Sequence, residues 1–172
     1  MRPKVTIAVA TTILTTIVVT AFLGSSAVAS SESDKAEIVA LNDRLADGFN
    51  KRDLSAVMSL YVKDEDAVFY GDTTPFQMVG TGALSKANQE FISGATKIHD
   101  EVKSIVVVVD GNLAAAHCMP RITWTDKAGA HSEIGRYTQV LKKVNGKWLI
   151  WHEHLSVPYD PATGKAVLEA KP

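Results

Sequence analysis

The chain has 172 residues, of which 46% are apolar and 22% are charged, and its formal net charge is −1. This length and apolar content predict one domain with its own core, and they exclude a mainly disordered chain. A near-neutral charge without a basic run argues against nucleic acid as a partner. The single cysteine excludes a disulfide framework and a cysteine-rich zinc module.

The first 29 residues have the three parts of a secretory signal peptide. Arg2 and Lys4 precede an uncharged run over residues 5–23, and an A-x-A triplet ends at Ala29. This pattern predicts cleavage after Ala29 and a secreted or periplasmic protein. An uncleaved membrane anchor is the alternative, because the uncharged run approaches the ~20 residues of a membrane span.

Helical patterns dominate the first half of the remaining chain, after a polar lead at residues 30–34. Ile38, Leu41 and Leu45 recur at spacings of three and four residues, which predicts an amphipathic helix from about residue 35. Asp53 is a typical N-cap and predicts a second, short helix. A third helix is expected over residues 83–97.

The second half of the chain has the period-2 pattern of β-strands. Asp110-Gly111 and Asn145-Gly146 are favoured hairpin turns, so successive strands should pair in an antiparallel sheet. Helices followed by such a sheet predict an α+β domain with three N-terminal helices packed on one face. The expected strands are 66–70, 76–79, 102–109, 113–125, 130–144 and 147–157.

Two stretches resemble the nuclear transport factor 2-like (NTF2-like) superfamily. Residues 48–54 read Gly-Phe-Asn-Lys-Arg-Asp-Leu, and residues 146–158 read Gly-Lys-Trp-Leu-Ile-Trp-His-Glu-His-Leu-Ser-Val-Pro. The second stretch is similar to SnoaL-like (DUF4440) proteins and to the association domain of calmodulin-dependent kinase II. The resemblance covers residues 35–158 and leaves residues 159–172 as a C-terminal tail. It implies a cone fold, in which a curved sheet and its helices enclose a cavity, and a homodimer.

The last strand contains the residues whose orientation matters most. Strict alternation places Trp148, His152 and His154 on one face, and Trp151 and Glu153 on the other. Alternation alone allows either face to line the cavity. The resemblance implies that Trp151 and Glu153 line it, and that the two histidines and Trp148 lie on the convex dimer face.

The resemblance also implies a ligand site on the neighbouring strands. Arg121 matches a cavity arginine of the kinase association domain, and Tyr137, Gln139 and Tyr70 are expected beside it. A buried arginine needs a ligand carboxylate or a protein partner such as Glu153. The first hypothesis is therefore an exported domain that binds a small, largely apolar molecule, with Arg121 engaging any carboxylate end.

Two other functions stay open. Glu153 and Tyr137 could be the acid and base of an isomerase, cyclase or lyase, although Leu45 and Gly71 stand where ketosteroid isomerase has its tyrosine and its base. Alternatively, the domain is a non-catalytic assembly module held by the His152 and His154 face. These two histidines lack a third ligand at a fixed spacing, so neither a metal nor a cofactor is expected.

Overall fold

The computed structural model describes the backbone of residues 12–169 and the side chains of residues 31–169. The chain divides into two compact units, Met1–Asp34 and Lys35–Pro172. The side chains of the proposed export signal, residues 1–29, lie outside the described residues, so that signal stays a prediction. Within the part of the chain that the structure describes, no helix is long and apolar enough to span a membrane.

Three helices occupy the order expected from the sequence. The Asp53 side chain caps the second helix by accepting a 2.9 Å hydrogen bond from the backbone N–H of Ala56, as the sequence predicts. The third helix ends at Gly94, three residues earlier than expected, and a strand follows it. The helices are α1 (Thr12–Asn50), α2 (Leu54–Met58) and α3 (Thr81–Gly94).

The strands form two main sheets and a small hairpin. The larger sheet has the order β2-β1-β9-β8-β5-β4, the smaller has the order β3-β6-β7, and β10 pairs with β11. All pairs are antiparallel except β1 with β9, so the larger sheet is mixed. The strands are β1 (Val68–Tyr70), β2 (Met78–Val79), β3 (Lys97–Glu101), β4 (Val106–Asp110), β5 (Leu113–Cys118), β6 (Arg121–Asp126), β7 (Gly129–Ile134), β8 (Arg136–Val144), β9 (Lys147–Ser156), β10 (Tyr159–Asp160) and β11 (Lys165–Ala166).

The two long central strands expected from the sequence are each broken in two. The predicted strand 113–125 breaks before Pro120, which has no backbone N–H to donate to a ladder. The predicted strand 130–144 breaks at Gly135, whose N–H donates to the Pro120 carbonyl at 3.1 Å. The two breaks therefore meet at one corner, where the chain passes from one sheet to the other.

The apolar residues form two clusters within the unit that begins at Lys35. The larger cluster joins the predicted inner face of α1, including Ile38 and Leu41, to Leu141 and Ile150 of the larger sheet. The smaller cluster, around Ile92, Ala95 and Ile98, joins the end of α3 to the smaller sheet. Residues of both clusters line a cavity, which therefore lies between them.

A β-bulge interrupts β9 at the place where the sequence suggests strict alternation. Val140 pairs with His152, but the next residue, Leu141, pairs with Ile150. Trp151 is therefore an extra residue without a partner on β8. One extra residue of this kind changes the face to which the following side chains point.

Because of the bulge, even-numbered residues before it and odd-numbered residues after it lie on the same face of β9. Trp148 and Ile150 are buried in the core, and beyond the bulge Glu153 and Leu155 line the cavity. The prediction that Trp148 shares a face with the two histidines is therefore wrong.

Candidate functional site

The cavity has a volume of about 300 Å³ and mostly apolar walls. Helices α1 and α3 supply one side, and strands of both sheets supply the other. Apolar residues on its wall include Leu45, Phe49, Leu84, Phe91, Ile122 and Trp124.

Glu153 is the centre of a hydrogen-bonded group on the wall of the cavity. The hydroxyl of Tyr61 donates to Glu153 Oε2 at 2.7 Å, and the hydroxyl of Tyr137 donates to the same oxygen. Gln139 Nε2 in turn donates to the Tyr137 hydroxyl at 3.0 Å. Glu153 Oε1 has no hydrogen-bond partner among the residues that the structure describes, so it is the oxygen a ligand could reach.

The backbone elements determine where each of these side chains lies. Tyr137 and Gln139 lie two residues apart on β8 and so point to the same face. Gln139 pairs directly with Glu153 across the ladder. Tyr61 follows α2, and its ring packs edge-on against Phe69 at 5.9 Å between centroids. Three separate elements therefore bring the two hydroxyls to one carboxylate oxygen.

Burial raises the pKa of Glu153 above its usual value, although the hydrogen bonds from Tyr137 and Tyr61 oppose this by stabilising the carboxylate. Burial, followed by the neighbouring Glu153 charge, also raises the pKa of both tyrosines well above their ordinary value. The tyrosines therefore stay protonated as donors, while Glu153 can accept or release a proton.

A second carboxyl group, that of Asp100, lines the cavity from β3. Burial raises its pKa to about 6. Its Oδ1 atom is buried without a hydrogen-bond partner. The backbone around it is held by Asn50, whose side-chain oxygen accepts the Asp100 N–H at 2.6 Å.

Glu133 and Asp72 form a third acidic group on the cavity wall. Glu133 is 5% exposed, and burial, together with the charge and hydrogen bond of Asp72, raises its pKa to about 8. Two hydrogen-bonded carboxyl groups share one proton most readily. None of the described residues that line the cavity is a lysine, arginine or histidine.

Arg121 does not lie in the cavity. Its neighbours Ile122 and Trp124 line the cavity, and the Arg121 guanidinium binds Glu169 at 3.0 Å and Ser132 at 3.2 Å on the surface. The prediction that Arg121 enters the cavity, or pairs there with Glu153, is wrong. Arg121 directly precedes Ile122 on β6, and successive side chains of a strand point to opposite faces, so Arg121 lies on the face away from the cavity.

Trp151 also lies outside the cavity. Its indole N–H donates to Asp64 Oδ2 at 2.9 Å, and the Lys142 ammonium lies 3.3 Å from the centre of its ring. As the extra residue of the bulge, Trp151 does not share the inward phase of Glu153. The expectation that both line the cavity holds for Glu153 only.

The remaining predicted residues occupy three environments. Tyr70 and Tyr137 line the cavity as expected, whereas Gln139 is buried behind Tyr137 and supports it. His152 and His154 each pack edge-on against Tyr70, with centroids 5.5 Å apart. Their role in a dimer stays a prediction.

No metal centre is present among the described side chains, because no group of three histidine, cysteine or acidic residues has the necessary geometry. The only cysteine, Cys118, is buried. Burial raises the pKa of its thiol to about 12, which keeps it protonated and unreactive.

Four ionisable residues of the cavity wall are not predicted from the sequence: Tyr61, Asp72, Asp100 and Glu133. One signal for Glu133 is present in the sequence, since it has the same parity as Tyr137 and Gln139. Asp72 directly follows Gly71, where the resemblance places the base of ketosteroid isomerase. Asp100 is missed because the expected strand begins only at residue 102, although Asp100 shares a face of β3 with Ile98, which also lines the cavity.

One protein-family comparison matches most of the domain. A SnoaL-like domain matches residues 38–160 of this chain. A search of curated proteins finds no match.

Solved structures with the same architecture cover nearly the same region. An NTF2-like protein of unknown function from Pseudomonas putida is 26% identical, with a TM-score of 0.74 over 83% of this chain and 99% of that one. A provisionally named calmodulin-dependent kinase II association domain from Xanthomonas campestris is 24% identical, with a TM-score of 0.62 over 78% and 88%. A provisionally named dehydratase from Streptomyces avermitilis is 16% identical, with a TM-score of 0.66 over 73% and 96%.

Proposed function

The chain belongs to the SnoaL-like family of NTF2-like proteins, and we propose on this premise that it binds a small, largely apolar molecule in its cavity. The observation that carries the proposal is a cavity of about 300 Å³ whose walls are mostly apolar. Small-molecule sites are typically of this kind, with an apolar lining that supplies affinity and polar groups that fix orientation.

The polar end of the ligand would lie at Glu153. Both tyrosine hydroxyls bind its Oε2, so Oε1 is the oxygen left for a ligand. A ligand that donates a hydrogen bond suits this oxygen, whereas a ligand carboxylate would meet an acidic wall. The ligand therefore has no carboxylate end in this proposal, because Arg121, the cation expected to bind it, pairs with Glu169 at the surface.

Helix α3 offers a matched pair of variants to test ligand binding. Ala87 lines the cavity and Ala83 is exposed on the same helix. We expect Ala87→Phe to fill ligand space and Ala83→Phe to leave it open. In a thermal-shift screen of small apolar alcohols, ketones and amines, compounds that stabilise the wild type should stabilise Ala83→Phe equally and Ala87→Phe hardly at all. A compound at about 100 times its Kd stabilises a folded protein by about 2.7 kcal/mol.

Two results would contradict the binding proposal. One is a broad screen in which no compound stabilises the wild-type protein. The other is a ligand that binds Ala87→Phe as tightly as the wild type, since that ligand would lie outside the cavity.

Acid–base catalysis is the second candidate function, and the environment of Glu153 favours it. A carboxyl group with a raised pKa in an apolar cavity is suited to take a proton from carbon next to a carbonyl group. Tyr61 and Tyr137 would hold Oε2 and fix the side chain, so that Oε1 receives the proton. In a β,γ-unsaturated ketone, return of this proton to the γ-carbon gives isomerisation; in a β-hydroxy ketone, its transfer to the leaving hydroxyl releases water and gives dehydration.

Proton exchange tests this chemistry without knowledge of the natural substrate. β-Tetralone is an apolar ketone, and NMR in deuterated water follows the exchange of its α-protons. We expect Glu153→Gln to lower the protein-catalysed rate by about 100-fold or more, which is the usual contribution of a positioned base. Glu90→Gln, on the exposed side of α3, is the control and should keep the full rate. Exchange that survives Glu153→Gln would remove Glu153 from this role.

A further inference from the structure

The cavity has an unbalanced set of charged side chains. Asp72, Asp100, Glu133 and Glu153 all line it, and no described lining residue is basic. His99 and His152, next to Asp100 and Glu153 in the chain, do not line the cavity, and two basic side chains on adjoining strands are engaged elsewhere. Arg121 binds Glu169 on the opposite face of its strand, and Lys142 lies over the ring of Trp151.

Such an arrangement is costly for a protein without a ligand. A buried carboxylate needs a cation or several hydrogen-bond donors, and otherwise it takes up a proton. Glu153 has its two tyrosine donors, and Glu133 shares a hydrogen bond with Asp72. Asp100 lacks this compensation, because its Oδ1 is buried without a partner.

An aromatic wall adds a second kind of cation-binding surface to the same cavity. Phe49 and Phe91 meet edge-on at 6.1 Å between centroids, and Phe91 meets Trp124 at 5.9 Å. All three line the cavity, and so does Tyr70. The faces of aromatic rings attract ammonium groups, the more strongly when water is excluded.

We infer that the ligand of this cavity is an apolar amine that binds as its ammonium ion, with its charge among the carboxyl groups and its apolar body along the aromatic wall. The inference rests on the proposed binding function and specifies its ligand class. An ammonium group has three donors and no acceptor, and therefore matches a site rich in carboxylate acceptors. A metal ion is a poorer match, because no three acidic or histidine side chains of the described residues converge on one point.

Three probes with the same carbon skeleton separate charge from apolar contact. Phenylbutylamine is a cation at neutral pH, phenylbutanol is uncharged, and phenylbutyrate is an anion. Calorimetric titration of the full-length protein should give a Kd for the amine at least about tenfold lower than for the alcohol, a difference of about 1.4 kcal/mol. The anion should not bind measurably.

Two isosteric variants test whether the carboxyl groups are responsible. Glu133→Gln and Asp100→Asn should each weaken binding of the amine by about fivefold or more and leave binding of the alcohol within about twofold. Glu90→Gln removes one charge from the exposed side of α3, so it controls for net charge and should change neither Kd. Circular dichroism confirms that each variant is folded.

The possible outcomes distinguish this inference from the proposal on which it rests. If the alcohol binds as tightly as the amine, or the anion binds best, the amine inference is overturned while the cavity remains a binding site. If none of the three probes binds and the wider screen is also negative, the binding proposal itself fails. Equal weakening of amine and alcohol in both variants would also overturn the inference, since it would indicate a structural role for the carboxyl groups.

Discussion

Individual carboxyl groups determine how this molecule should respond to pH. Glu133 is buried beside Asp72, and its pKa is raised to about 8 from an ordinary 4.5. Burial raises the pKa of Asp100 to about 6 from an ordinary 3.8. At a pH between the two values, the folded state keeps a proton that the unfolded chain has released. The stabilisation from each group is therefore complete at low pH, where both states are protonated, and is lost as the pH rises through the folded-state pKa.

This linkage predicts that stability falls as the pH rises through the Glu133 range. Between about pH 5 and about pH 8 the folded state binds more protons than the unfolded state, so the free energy of unfolding decreases with pH. One pKa unit corresponds to about 1.4 kcal/mol. After allowance for coupling to Asp72, we expect a loss of about 1 to 2 kcal/mol for this site. Urea denaturation across this range should show the decrease in the wild type and a smaller one in Glu133→Gln, in which Asp100 still releases its proton near pH 6. An identical slope in the two proteins would contradict the assignment.

The Tyr61 hydroxyl should hold the Glu153 pKa below the value that burial alone would give. Its hydrogen bond stabilises the carboxylate, so Tyr61→Phe removes one of two donors and should raise the pKa of Glu153 further. The same change should lower the free energy of unfolding by about 1 kcal/mol. Carbon-13 NMR titration of the Glu153 carboxyl measures the shift directly. Tyr159→Phe is the control, because Tyr159 is 69% exposed at the end of the domain. An unchanged Glu153 titration in Tyr61→Phe would show that this hydrogen bond is not made in solution.

At the level of elements, the sequence predicts the order of the helices and strands better than it predicts which side chains of a strand face inward. The stripe through Ile38 and Leu41, the Asp53 cap and the two hairpin turns predict the helices and the sheet correctly, because each is a local signal. The inward direction of Tyr137, which the resemblance implies, also agrees with the structure, because β8 alternates regularly throughout its length. Trp151 is the exception that matters most, because a bulge depends on the neighbouring strand and leaves no local pattern.

The bulge has a function in this fold that deletion variants can reveal. Ile150 and Glu153 lie three residues apart and both face inward, which a regular strand cannot achieve. Deletion of Trp151 gives a regular ladder in which Ile150 still pairs with Leu141 and Glu153 still pairs with Gln139. We therefore expect this variant to fold and to keep the raised Glu153 pKa. Its free energy of unfolding should be about 2 kcal/mol lower than that of the wild type, because the hydrogen bond to Asp64 and the packing of the indole are lost.

Deletion of Leu149 is the matched comparison. It also shortens β9 by one residue, but it must turn either Trp148 or Ile150 out of the core, where Trp148 is 2% exposed and Ile150 is 0% exposed. We expect this variant to be unfolded by circular dichroism and by amide NMR dispersion. If both deletions were tolerated equally, the assignment of Trp151 as the extra residue would be wrong.

At the scale of the whole domain, the corner between the two sheets and the cavity share a side chain. The strands change sheets at Pro120 and Gly135, and at Gly135 the corner comes close to the Leu155 side chain of β9. A Cβ atom at Gly135 would lie 2.4 Å from Leu155 Cδ1. Leu155 also lines the cavity, so the corner and the ligand space meet at this side chain.

Gly135→Ala should therefore affect stability and ligand binding together. The new methyl group must displace the Leu155 side chain, and overpacking of this kind costs about 1 to 3 kcal/mol. If Leu155 moves into the cavity, the space for a ligand shrinks, and binding of phenylbutylamine should weaken by about tenfold. The double variant Gly135→Ala, Leu155→Ala removes the clash and should recover most of the binding. Gly82→Ala, where a Cβ meets nothing within 4 Å, is the control and should stabilise α3 slightly. Weakened binding that Leu155→Ala fails to restore would show that the corner shapes the cavity through the backbone and not through this side chain.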